Sequence, residues 1–223
     1  MYKRVPEQIE DLVVQLRSAD SRKRKDAAER IRELGLYSQK SLDPRGTFTK
    51  AAEERLREGL IEAITKAIQD RDVKVKTALA AAVGEWGGET SIPKLLEEVP
   101  GRNQKTNKEH AYAVVSALRN IGGPDASRAL AEVSVQKKIN EGIRLAAISA
   151  LEEIIWSDKK RNDSQGVNTL SLANEIIQIL GKSANEEVTN MSQLTIKQRI
   201  NDVIEILEQE YTKEAKQIME CSY

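Results

Sequence analysis

The chain has 223 residues, with 35 Lys+Arg against 35 Asp+Glu, a formal net charge of zero, 31% charged residues and 4% aromatics. That balance counts against a dedicated duplex-DNA binder, whose affinity comes largely from a basic excess that neutralises phosphates. No apolar run approaches the roughly 18 residues of a membrane span, and the N-terminal MYKRVPEQIEDLVV lacks the apolar core of a secretory leader.

Helical periodicity starts at Ile9, Leu12, Val13 and Leu16, which share one helix face. A polar residue, Asp20, then opens a second stripe at Ala27, Ile31 and Leu34, and Gly35 closes it. The same grammar recurs three times. Leu60, Ile61, Ile64 and Ile68 precede Asp72, followed by Leu79, Val83, Trp86 and Gly87. Ile92, Leu95, Leu96 and Val99 precede Asn107, followed by Val114, Leu118, Ile121 and Gly122. Leu130 and Val133 precede Asn140, followed by Ala147, Leu151 and Ile154, with Ile155 where the glycine would stand. Counted from the polar start, the apolar positions are offsets 7, 11 and 14 in every copy. Each start is read as an N-cap that accepts backbone N–H bonds, and each glycine as a C-terminal stop. Every unit is therefore a helix A, a turn and a helix B.

A fifth unit follows, with Leu172, Ile176, Ile177 and Leu180 in helix A. Its helix B carries Ile196, Ile200, Ile204 and Leu207, with Ser192 as a degenerate cap. The units are placed at 5–35, 51–87, 91–122, 124–156 and 168–209, as one domain spanning 1–223. Insertions at 36–50 and 157–168 are expected to be mobile loops. A C-terminal cap at 194–221 continues through Ala215 and Ile218. Cys221, the lone cysteine, leaves no internal disulfide, so the sequons at Asn162 and Asn190 are read as idle and a cytoplasmic location is expected.

The stretches DVKVKTALAAAVGEWG and AVVSALRNIGGPDASRAL resemble HEAT repeats, in particular the HEAT-like repeats of phycobilisome lyases. The resemblance is good over 70–158 and fair over 5–35 and 168–208. It implies an all-α, right-handed α-solenoid of about five repeats, with a concave surface lined by the B helices and a scaffold role. In such repeats the helix-B acid and base form a polar ladder between units. Here the base at offset 4 is Arg24, Lys76, Arg144 or Lys197, with Ala111 as the exception. Two readings stand: a ladder opposite Asp20, Asp72 and the Asn caps, or a basic line facing a ligand.

Offsets 4, 5, 8, 9 and 12 are taken as the face opposite the buried stripe. On it lie Arg24, Lys25, Arg32, Lys76, Tyr112, Arg119, Arg144, Ile148 and Glu152 as candidate partner-binding residues, with a possible apolar patch of Tyr112, Val115 and Ile148. The competing reading buries that patch between repeats. Trp86 sits in a core slot, whereas Trp156, beside the charged insertion, either anchors a partner or staples the loop.

His110 is the sole histidine, and its equivalents Val75 and Ile143 are apolar, so it is read as filling a partly buried slot. No catalytic residue, metal ligand set or cofactor motif is assigned. The leading functional reading is a non-catalytic protein scaffold, monomeric or weakly dimeric and without membrane contact. The alternatives are nucleic-acid binding in a basic groove of the HEAT-like DNA glycosylase type and a bilin-lyase-like enzyme subunit.

Overall fold

The structure is a computed structural model and describes residues 5–37, 50–99, 107–162, 169–184 and 191–220. All ten helices among them follow the expected alternation. They are α1 (Val5–Gln15), α2 (Ser21–Tyr37), α3 (Lys50–Ala67), α4 (Val73–Trp86), α5 (Ile92–Glu97), α6 (Lys108–Ile121), α7 (Gly123–Val135), α8 (Glu141–Asn162), α9 (Thr169–Ala184) and α10 (Met191–Glu220). A 3-10 turn, Glu89–Ser91, leads into α5. Odd numbers are A helices and even numbers B helices. No strand occurs among the described residues, so the fold class is an all-α solenoid.

The polar starts do cap their helices. Asp20 accepts the Arg22 amide at 2.9 Å, Asp72 the Lys74 amide at 2.8 Å, Asn107 the Glu109 amide at 2.9 Å and Asn140 the Gly142 amide at 3.0 Å. Each bond satisfies an amide that the helix itself leaves unpaired. The fifth unit departs from this pattern, because Ser192 lies inside α10 rather than before it. The glycine stops hold at Gly87 and Gly122, which follow the last residues of α4 and α6. Gly122 has φ 66 and ψ −166, a conformation that side chains disfavour. Gly35 is different: α2 continues through it to Tyr37. The unit that lacks a glycine lacks a stop, so α8 runs past Ile155 to Asn162 and takes the first half of the expected second loop into the helix. Residues 38–49 of the first insertion, residues 163–168 and Cys221 lie outside the described residues, as do the side chains of Ala215 and Ile218.

Two compact units are present, one holding α1–α6 and the other α7–α10. In the first, α4 packs against α2 on one side and α6 on the other, while α3 lies against α1 and α4. Its core is Ile9 and Leu12 of α1, Ile31 of α2, Leu60 and Ile64 of α3, Leu79, Val83 and Trp86 of α4, and Leu118 of α6, all buried. In the second, α7 packs on α8 and α9, and α10 on α8 and α9. Leu130, Leu151, Ile176, Leu180, Ile200 and Val203 are its buried centre.

Small residues set how closely the B helices approach. A Cβ on Gly84 would stand 2.8 Å from the Ala117 backbone, so α4 and α6 touch nearly backbone to backbone. Overpacking such a contact costs about 1–3 kcal/mol. Gly84→Val is therefore expected to lower the unfolding free energy by that much, read as a lower denaturant midpoint with the slope of the transition unchanged.

Gly35 has a similar duty towards a distant residue. A Cβ there would lie 2.7 Å from Trp86 Nε1, and that indole donates to the Ile31 carbonyl at 2.6 Å. The Arg57 guanidinium lies over the ring, 5.3 Å from its centroid. One indole thus joins α2, α3 and α4.

Candidate functional site

Three of the offset-4 bases, Arg24, Lys76 and Arg144, are consumed inside the fold. Arg24 Nε and Nη2 donate to the Asp70 carboxylate at 2.6 and 2.9 Å, and Nη1 donates to the Ser18 and Ala19 carbonyls. Burial alone would raise the Asp70 carboxyl, but Arg24 and the amides of Asp72 and Arg71 outweigh it and hold it below the usual carboxylate range. Lys76 Nζ meets Glu98 Oε2 at 2.6 Å. Arg144, only 5% exposed, donates from Nε to the Ser134 carbonyl at 2.6 Å. Each base thus reaches the C-terminal end of an A helix, where carbonyls and the helix dipole favour a cation. Two rungs join neighbouring units, Arg24–Asp70 and Lys76–Glu98, with acids at A-helix ends rather than the caps as partners, while Arg144 stays within its own helix pair. Asp72 already spends its carboxylate on the Lys74 and Val75 amides of its own helix.

Offset 8 is corrected as well. Ile148 is 1% exposed and Val115 3%, so neither contributes to a surface, and Ala28 and Ala80 are buried with them. At about 100° per residue, offset 8 lies on the flank of helix B rather than opposite its stripe. In a stack that flank belongs to the neighbouring helix.

What remains outward is the narrower line at offsets 5, 9 and 12. On α2 it holds Lys25, Glu29 and Arg32; on α4, Thr77 and Ala81; on α6, Tyr112, Ser116 and Arg119. Lys25 is joined to Glu29 at 2.8 Å. Tyr112 is 43% exposed, the largest outward apolar group of the line. Arg119 reaches Ser116 at 3.4 Å, and Asn120 donates to Glu85 of α4 at 3.2 Å, tying the far end of the line together. Lys25 and Arg32 on α2 thus flank α4 on one side and Tyr112 and Arg119 on α6 on the other, with the small side chains Thr77 and Ala81 between them.

Residues 61–152 match the family model for HEAT repeats. The HEAT segment runs from within α3 to Glu152 of α8, and so includes the α4 and α6 portions of this line. No curated protein matches the sequence. Two solved structures are similar over 90% of the chain at 16% identity: an engineered protein (TM-score 0.43, 98% of its own length) and a designed armadillo repeat protein (TM-score 0.41, 99% of its own length).

The second unit places Glu152 against Arg199 of α10 at 2.6 Å, and Arg199 also reaches the Ser149 hydroxyl at 3.3 Å. Burial raises the Glu152 carboxyl, Asp202 adds to this, and Arg199 opposes it. Trp156, one turn further along α8, is 49% exposed. Arg199 was not legible beforehand, since no position in the repeat grammar assigns it. Among the described residues no group of three or more His, Cys, Asp or Glu side chains is placed to hold a metal ion, and no helix is long and apolar enough to cross a membrane.

Proposed function

We propose that this chain is a non-catalytic docking scaffold whose partner protein lies along the exposed B-helix line of the α1–α6 unit. The observation that supports the reading is the separation of duties among the bases. Arg24 and Lys76 are spent on A-helix ends, whereas Arg32, Tyr112 and Arg119 face outward around the small residues Thr77, Ala81 and Ser116. Tyr and Arg are the residue types that most often anchor interfaces, and they do so best beside a depression that excludes water. A helix laid across α2, α4 and α6 would seat an apolar side chain over Ala81. A cytoplasmic location belongs to the same reading and is carried by the lone cysteine.

The test places a photo-crosslinking amino acid at Ala81 and compares the unaltered line with Tyr112→Ala/Arg32→Glu. The expected outcome is one discrete cross-linked protein, whose purified form loses about 30-fold in affinity on the double substitution, the scale of a single hot spot. Thermal stability should not change. A nuclease-sensitive, salt-labile capture would replace the reading with nucleic-acid binding, and a partner indifferent to both substitutions would remove it from this line.

A further inference from the structure

His110, in the first turn of α6, is 6% exposed and has only one ring nitrogen engaged. Its Nε2 lies 3.2 Å from Glu98 Oε2, the same oxygen that takes Lys76 Nζ at 2.6 Å. A carboxylate only accepts, so Nε2 carries the ring proton and donates it. Nδ1 is then bare, and it is buried with no hydrogen-bond partner among the described residues. These three side chains come from α4, the residue following α5, and α6, and they clasp that junction.

The charges facing the ring are Glu98 from the end of α5 and Lys76 from α4, while Lys108 and Glu109 of its own helix are exposed. Glu98 is already neutralised by Lys76, so a second cation gains little from it. Protonation would also bury an N–H at Nδ1 that has no acceptor among the described residues, and such an orphan costs more than an ordinary bond returns. Burial, with Lys76 adding to it and Glu98 opposing, holds the ring below its ordinary value.

We propose that His110 is an acid-sensitive latch: neutral, it holds the start of α6 to Glu98 and Lys76, and protonated, it releases that junction. The inference goes beyond partner docking and does not depend on it. A base whose folded value is depressed binds more protons when unfolded, so its stabilising contribution is complete above about pH 6.5. It is lost as the pH falls from there towards the folded value. The expected effect is up to a tenfold increase in local opening for each pH unit across that window.

His110 is the only histidine in the chain, so its ring Hε1 resonance can be titrated by NMR without assignment. The expected midpoint lies below 6.5, and hydrogen exchange in 92–99 and 108–114, corrected for intrinsic rate, should accelerate with the same midpoint. Lys76→Gln should raise the midpoint by leaving Glu98 free for the imidazolium, and His110→Gln should abolish the acid-induced acceleration. A wild-type midpoint at or above 6.5 overturns the proposal. So does a depressed midpoint with exchange that does not follow it, a result that stands on the wild type alone even where a variant fails to fold.

Discussion

Replacing Trp86 with alanine is expected to lower the stability of the α1–α6 unit by about 3–5 kcal/mol, the range for removing a buried Trp or Phe. The side chain is 3% exposed, its N–H is bonded to the Ile31 carbonyl, and its ring packs at Gly35 and beneath Arg57. Against a total of about 5–15 kcal/mol for a domain, that loss should leave much of α2–α4 open. The measurement is hydrogen exchange resolved along those helices, with far-UV circular dichroism. Trp86→Phe should fall between, because it keeps most of the packing and loses the indole bond to the Ile31 carbonyl, worth about 0.5–1.5 kcal/mol. The pairing with Gly35 supplies a control. Gly35→Ala should destabilise the wild type, whose indole occupies the space a Cβ needs. In a Trp86→Ala background the same change should be less destabilising, since only the Glu85 Cβ, 2.8 Å from the added methyl, still opposes it. Equal effects in both backgrounds would refute the Gly35–Trp86 contact.

Arg144→Glu should be comparably costly, at about 3–5 kcal/mol, because it sets an unpaired carboxylate at a buried site against the Ser134 carbonyl. Lys76→Glu would oppose a carboxylate to Glu98 in the other unit. Both are unsuitable for mapping a binding face, since loss of binding would follow loss of structure. A thermal melt separates the two cases: Arg144→Glu should lower the transition and Arg32→Glu should leave it in place. An unshifted melt for Arg144→Glu would place that guanidinium outside the fold's framework.

Most of the architecture was legible because its signals are local. A cap spans two or three residues, so Asp20, Asp72, Asn107 and Asn140 announce four helices without any tertiary knowledge. Offsets 7, 11 and 14 identify the buried stripe for the same reason. The equivalence of His110 with Val75 and Ile143 likewise announced its burial, which the structure confirms. What was missed needed a partner far away in sequence. Gly35 reads as a stop until Trp86 is seen beside it. Asp70 and Glu98 carry no mark of their own, because two acids at the ends of A helices look like any solvated pair. Ile148 was misplaced by treating helix B as covered on one side only, whereas a stacked helix is covered on its flanks too. The absence of a glycine after Ile154 is visible in the sequence, but its consequence, a helix running on to Asn162, is obscured by charged residues that resemble a loop.

The close approach at Gly84 sorts the outward line into positions that can vary and one that cannot. Residues 25, 29, 32, 77, 81, 112, 116 and 119 point outward, whereas offset 12 on α4 is Gly84, pressed against Ala117. A library randomised at those eight positions would leave the caps, the A-helix clasps and the buried stripe untouched. Its members should fold alike and differ in what they recognise, with glycine held constant at the one place where the backbone leaves no room for a choice.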